Sequence, residues 1–150
     1  DFDKPLIAAV NGVAVGIGFT MLPHCDLVLV SDDARFRTPF AQMGVAPEAG
    51  SSYLLPARMG AQRAAHVLFT SEWLTAEQVV EYGIAFSRHA PDDLLPRAMA
   101  LAEHIASAPL ASLRAIKRTM RAAELPAVRA AREIEEAEFA QLLAGFTSPT

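Results

Sequence analysis

Between Ala34 and Arg63 the chain carries a single acidic side chain, Glu48, in the run Val45-Ala46-Pro47-Glu48-Ala49-Gly50-Ser51-Ser52-Tyr53. It sits in a turn directly ahead of an apolar segment, which makes it a candidate lone catalytic base. Upstream, the apolar run Leu6-Ile7-Ala8-Ala9-Val10 breaks at Asn11-Gly12 and resumes as Val13-Ala14-Val15-Gly16-Ile17-Gly18. A strand, a glycine turn and a helix start in that order leave backbone N–H groups that no helical carbonyl uses, and such a donor suits a developing oxyanion. A carboxylate base and an oxyanion donor together point to proton abstraction next to a carbonyl.

Other reactive residue types offer less. His24, His66, His89 and His104 lack the i, i+4 or clustered spacing that a metal requires, so no metal site is expected and each reads as structural or exposed. Cys25 is the only cysteine, which excludes an internal disulfide and a cysteine-built zinc site. It reads as a small buried apolar residue. No Gly-x-Ser-x-Gly elbow surrounds Ser51 and Ser52, so helix N-capping is their expected role, with a hydrogen bond to Glu48 open to either.

The elements that must position these residues follow from apolar patterning. With 150 residues, 52% of them apolar, the chain is long enough for one globular core. Leu6–Val10 and Asp26–Val30 read as strands buried on both faces, separated by a small apolar helix over about 16–22 that Pro23 should close, hence a parallel pair in an α/β sheet. Residues 35–50, punctuated by Pro39, Gly44, Pro47 and Gly50, read as irregular loop with at most one short strand or turn. Two short helices are expected at 51–59 and 61–69, broken at Gly60. Thr75-Ala76-Glu77-Gln78 has the capping-box form and predicts a helix from Ala76 to about Tyr82. A brief strand at Ile84–Phe86 and a helix from Asp92 to about Ala106 follow. Pro109 and Pro126 predict helices over about 109–123 and 126–145, one with an apolar stripe of Leu110, Leu113, Ile116 and Met120, the other with Phe139, Leu142, Leu143 and Phe146.

A net charge of −4 gives no electrostatic reason to bind nucleic acid or an anionic membrane. No stretch of about 18 apolar residues and no signal-peptide layout occurs, so a cytoplasmic protein is the expectation. Beginning at Asp1-Phe2-Asp3-Lys4-Pro5 and ending at Ser148-Pro149-Thr150, the chain reads as a segment of a larger domain, with a complete small domain as the alternative.

The order Lys4-Pro5-Leu6-Ile7-Ala8-Ala9-Val10-Asn11-Gly12, Val15-Gly16-Ile17-Gly18 and Cys25-Asp26, continued through Phe36, Pro39, Gly44, Pro47, Gly50 and the helix Thr75–Gly83, resembles the crotonase (enoyl-CoA hydratase/isomerase) superfamily. The resemblance implies a spiral of ββα units over residues 1–90 and trailing helices over 91–150 that make subunit contacts in a homotrimer or hexamer. It also implies an acyl-CoA thioester substrate, with no cofactor beyond the CoA of that substrate, and leaves a peroxisomal or mitochondrial address open. One oxyanion-hole N–H falls on Ile17, beside Gly16; the other would lie outside this segment.

Two positions depart from the hydratase pattern. Where hydratases of the superfamily carry glutamates, this chain has Thr20 and Phe40. Phe36-Arg37-Thr38-Pro39-Phe40, Pro47-Glu48 and Ser51-Ser52-Tyr53 instead resemble the Δ3,Δ2-enoyl-CoA isomerase branch, particularly its peroxisomal type, in which a glutamate at the position of Glu48 is the base. Hydration needs one group to activate water and another to protonate the carbanion, whereas moving a double bond needs one carboxylate that takes a proton from C2 and returns it at C4. Phe40 and Met43 are expected as substrate-binding residues that exclude water. Lys117, Arg118 and Arg121 read as a solvated basic face, with a CoA-phosphate contact as the alternative. Another crotonase reaction, or an acyl-CoA-binding trimer without turnover, are the alternatives for the whole.

Overall fold

The computed structural model describes residues 2–147, with side chains to residue 145, so the side chain of Phe146 in the expected stripe lies outside the described residues. Strands β1 (Ile7–Val10) and β2 (Val13–Val15) lead into helix α1 (Ile17–Thr20), and β3 (Leu27–Ser31) and β4 (Arg35–Arg37) lead into α2 (Phe40–Met43). The unit of two strands and a helix therefore repeats in one orientation. Equivalent strands pair in parallel, with Ile7 opposite Leu27 and Val13 opposite Arg35. First strands enter one sheet, ordered β1-β3-β6 with β6 at Ser87–His89; second strands enter another, ordered β2-β4-β5 with β5 at Leu74–Thr75. This is the α/β arrangement of repeated ββα units that the sequence resemblance implies.

Several local expectations are corrected. Asn11-Gly12 separates two strands that go to different sheets, and β2 was not anticipated. β1 is not buried on both faces, since Ala9 is exposed; among the described residues β1 is also an edge strand, paired to β3 alone. The first helix stops at Thr20, and Pro23 lies inside a separate 3-10 turn, Leu22–His24. The strand expected at Ile84–Phe86 forms instead at Ser87–His89. The N–H groups of Ile84 and Ala85 both reach the carbonyl of Val79, which closes the preceding helix and turns these residues into the core.

The main core joins Phe19, Val30, Phe36, Leu55, Val67 and Val79, all fully buried. Phe19 and Phe36 meet with ring centroids 5.6 Å apart. A four-residue helix is far below the length that is stable alone. Burying one Phe is worth about 1.5–3 kcal/mol, so Phe19 anchors α1 and with it the glycine turn in front.

Helices α3 (Ser51–Met59) and α4 (Ala61–Thr70) break at Gly60, and α5 (Ala76–Glu81) carries the expected capping box, with Gln78 N donating to Thr75 Oγ1 at 3.2 Å and Thr75 N to Gln78 Oε1 at 2.8 Å. Helix α6 (Pro91–Ala106) packs Leu94 and Ala98 on Leu29 of the first sheet. Helix α7 (Leu110–Ala122) buries none of its residues fully, and Leu110, Ile116 and Met120 of its stripe are exposed. The basic face of α7 is not simply solvated. Lys117 pairs with Asp26 at 2.8 Å and donates to Lys4 O at 2.7 Å, while Arg121 donates to His24 O at 3.0 Å. Helix α8 (Leu125–Thr147) lies on α3, with Val128 buried.

Candidate active site

The glycine turn is fixed on both sides. Gly16 has φ +55° and ψ −122°, a conformation that a side chain strains. Its N–H donates to Arg37 O at 3.0 Å, and its carbonyl accepts from the N–H groups of Phe19 and Thr20, both at 2.9 Å. The buried Thr20 hydroxyl also donates to that carbonyl at 3.3 Å. As the first residues of α1, Ile17 and Gly18 have amides without an acceptor among the described residues.

Glu48 arrives from the loop before α3. Ala49 and Gly50 both occupy the left-handed region, at φ +60° and +72°. The Ala49 carbonyl lies 2.6 Å from His24 Nε2, and Ser51 N donates to Glu48 O at 3.0 Å. A side chain from the far end of the chain completes the hold: Gly50 N donates to Glu135 Oε2 at 2.6 Å and Ser52 N to Glu135 Oε1 at 2.8 Å. This corrects the expected N-cap. Neither Ser51 nor Ser52 caps α3 with its side chain, and the buried Ser51 Oγ has no hydrogen-bond partner; Glu135 of α8, 5% exposed, accepts the free amides instead.

The Glu48 carboxylate comes against the glycine turn, with Oε1 3.7 Å from the position a Cβ would take on Gly16. Glu48 and Ile17 line one cavity of about 530 Å³, whose far wall is α8. Partial burial raises the Glu48 carboxyl above the ordinary carboxylate range, and the nearby Glu135 charge raises it further. An upward shift is the direction that suits a carboxylate which must both take and return a proton.

The structure thus brings Gly16, Ile17 and Glu48 together, and it does not bring Phe40 or Met43 to the cavity. Helix α2 packs on α4, with Phe40 buried and Met43 exposed, and neither lines the cavity. The apolar wall comes from Phe139 and Leu143 of α8. Sequence reasoning placed those two in an apolar stripe without a destination. It missed Glu135, Glu136, Arg132 and His24, all of which line the same cavity. Glu136 pairs with Arg132 at 2.9 Å. Cys25 is half-buried against the core, and burial raises its thiol pKa, which disfavours a nucleophile. Among the described residues no group of three His, Cys, Asp or Glu side chains could hold a metal ion, and no helix is long and apolar enough to cross a membrane.

Comparison with known proteins places the chain among relatives of one family. The family model described as enoyl-CoA hydratase/isomerase matches residues 1–145. Enoyl-CoA delta isomerase 2 of Rattus norvegicus is 49% identical over 84 residues, 56% of this chain and 22% of that protein. Carnitinyl-CoA dehydratase of Proteus mirabilis is 38% identical over 123 residues, 81% of this chain and 47% of that protein. The matched stretch thus spans less than half the length of either relative. The crystal structure of an enoyl-CoA hydratase/isomerase from Pseudoalteromonas atlantica superposes with a TM-score of 0.92 at 37% identity, covering 95% of this chain and 57% of that one.

Proposed function

The chain belongs to the enoyl-CoA hydratase/isomerase family, and we propose that within it the site moves the double bond of a 3-enoyl-CoA to the 2-position. Glu48 takes a proton from C2, the Ile17 N–H holds the thioester oxygen of the resulting dienolate, and Glu48 returns the proton at C4. The observation that carries this reading is the approach of the Glu48 carboxylate to the Gly16 turn, 3.7 Å from where a Cβ would stand. Base and oxyanion donor must flank one substrate carbon and its carbonyl, and these two line one cavity.

The positions expected to carry hydratase glutamates hold Thr20 and Phe40, both buried and neither in the cavity lining. CoA enters only as the handle of the thioester, and no redox or metal chemistry is required by the proton shuttle. The exposed stripe Leu110, Ile116 and Met120 of α7 supports assembly into a trimer or hexamer through the trailing helices.

A hydratase or dehydratase reading draws on the second acid in the cavity, Glu136, and on the dehydratase relative. Against it, Glu136 is already paired with Arg132. One experiment separates the two: supply 3-enoyl-CoA and, separately, 2-enoyl-CoA to the wild type and to Glu48→Gln. Isomerisation of the first without hydration of the second, reduced about 10²- to 10⁴-fold in the variant, is the expected outcome. Hydration by the wild type, or substantial isomerisation by Glu48→Gln, would reject the assignment.

A further inference from the structure

We propose that Glu135, contributed by α8, is the positioning residue of the Glu48 base: its two oxygens hold the turn that carries Glu48, and its charge faces that carboxylate across the cavity. The inference rests on the proton-shuttle reading of Glu48 and adds to it the residue that sets the base's place and proton affinity.

Geometry makes the first half of the case. Ala49 and Gly50 are consecutive left-handed residues, at φ +60° and +72°, and Ala49 bears a side chain that disfavours this region. Such a turn persists only if surrounding contacts impose it. Two of those contacts are the Gly50 and Ser52 amides on Glu135, at 2.6 and 2.8 Å; the third is His24 on the Ala49 carbonyl. Two donors meeting two oxygens is the bonding pattern of an ionised carboxylate. An amide in its place could accept only one of them well. The position at the N-terminus of the nine-residue α3 also favours a negative charge.

The second half concerns what Glu48 faces. From α8 these are Glu135, Glu136 and Arg132; from the turn after α1 it is His24; α1 and the Glu48 loop itself present only Ile17, Pro47 and Ala49. Arg132 is matched by Glu136 at 2.9 Å, so the charge left unbalanced toward Glu48 is that of Glu135. Burial first and Glu135 second push the Glu48 carboxyl upward, the direction a proton shuttle uses. Helix α8 also leaves no room for a looser fit, since a Cβ on Gly50 would stand 3.0 Å from Val128 Cγ1.

The test titrates Glu48 by carboxyl ¹³C NMR in the wild type and in Glu135→Gln, alongside the pH profile of kcat for 3-enoyl-CoA. Losing the neighbouring negative charge lowers the Glu48 titration and moves the acid limb of the rate profile the same way. With one amide left unpaired, kcat falls about tenfold or more while KM changes little. An unshifted Glu48 titration, with or without a loss of rate, reduces Glu135 to packing and overturns the proposal. Should the glutamine variant not fold, amide hydrogen exchange of Gly50 and Ser52 in the wild type decides: strong protection supports the clamp, and exchange at the rate of free loop amides refutes it. The titration and exchange need no turnover, so a wild type that fails to isomerise 3-enoyl-CoA rejects the shuttle while leaving the Glu135 result to stand or fall separately.

Discussion

The Gly16 turn is held by its own surroundings, its N–H on Arg37 and its carbonyl beneath Thr20, whereas the Glu48 turn is held by Glu135 from 85 residues further along the chain. The two turns meet in one cavity but depend on different parts of the molecule. The proposed oxyanion donor is a main-chain amide, so strand pairing and the buried Phe19 are enough to place it. The proposed base is a flexible side chain on a loop in a left-handed conformation. It needs long-range polar contacts, and those same contacts bring the charge that alters its proton affinity.

Substituting glycine in each turn tests that contrast most strongly. Gly50→Ala combines a positive φ with a 3.0 Å approach to Val128 and should cost roughly 2–4 kcal/mol in chemical denaturation. Next comes Glu48→Asp, which keeps the carboxylate but withdraws it from the Gly16 turn. It should lower kcat for 3-enoyl-CoA about a hundredfold with the melting temperature nearly unchanged.

Gly16→Ala should cost less stability than Gly50→Ala, about 1–3 kcal/mol from backbone strain, because its Cβ would meet only Glu48 Oε1 at an ordinary 3.7 Å. Equal losses at the two glycines would show that the turns do not differ as described. The smallest effect concerns pH. A carboxyl whose folded pKa is raised has its stability contribution in full below the unfolded pKa and loses it as pH rises through the folded pKa. Glu48→Gln should therefore raise the melting temperature slightly at pH 7, a gain that disappears as pH falls below the ordinary carboxylate range.

Much of the fold could be read from residue order because its signals are local. Gly60 parts α3 from α4, Thr75 and Gln78 cap α5, and Pro109 and Pro126 stand at the starts of the last two helices. The misplaced pieces are those decided by tertiary pairing: β2 is three residues long and exists because it pairs with β4, and β6 is shifted by the bonds of Ile84 and Ala85 to Val79. For the site, Gly16, Ile17 and Glu48 were visible through residue type and motif. Glu135, Arg132, Phe139 and Leu143 were not, because helical periodicity shows that α8 has an apolar face without showing what that face covers. Phe40 and Met43 are expected from their apolar character to exclude water at the base, but α2 packs on α4 and neither lines the cavity.

Lys117 reaches back to Asp26 across 91 residues, as Glu135 does to Gly50 across 85. During synthesis all the strands and the first five helices are added to the chain before either side chain is made. Closing such large loops is entropically slow, so these contacts belong to the late steps of folding. A nascent chain stalled before α8 would carry the Glu48 loop without its partner, and the most exacting geometry in the molecule would be the last to form.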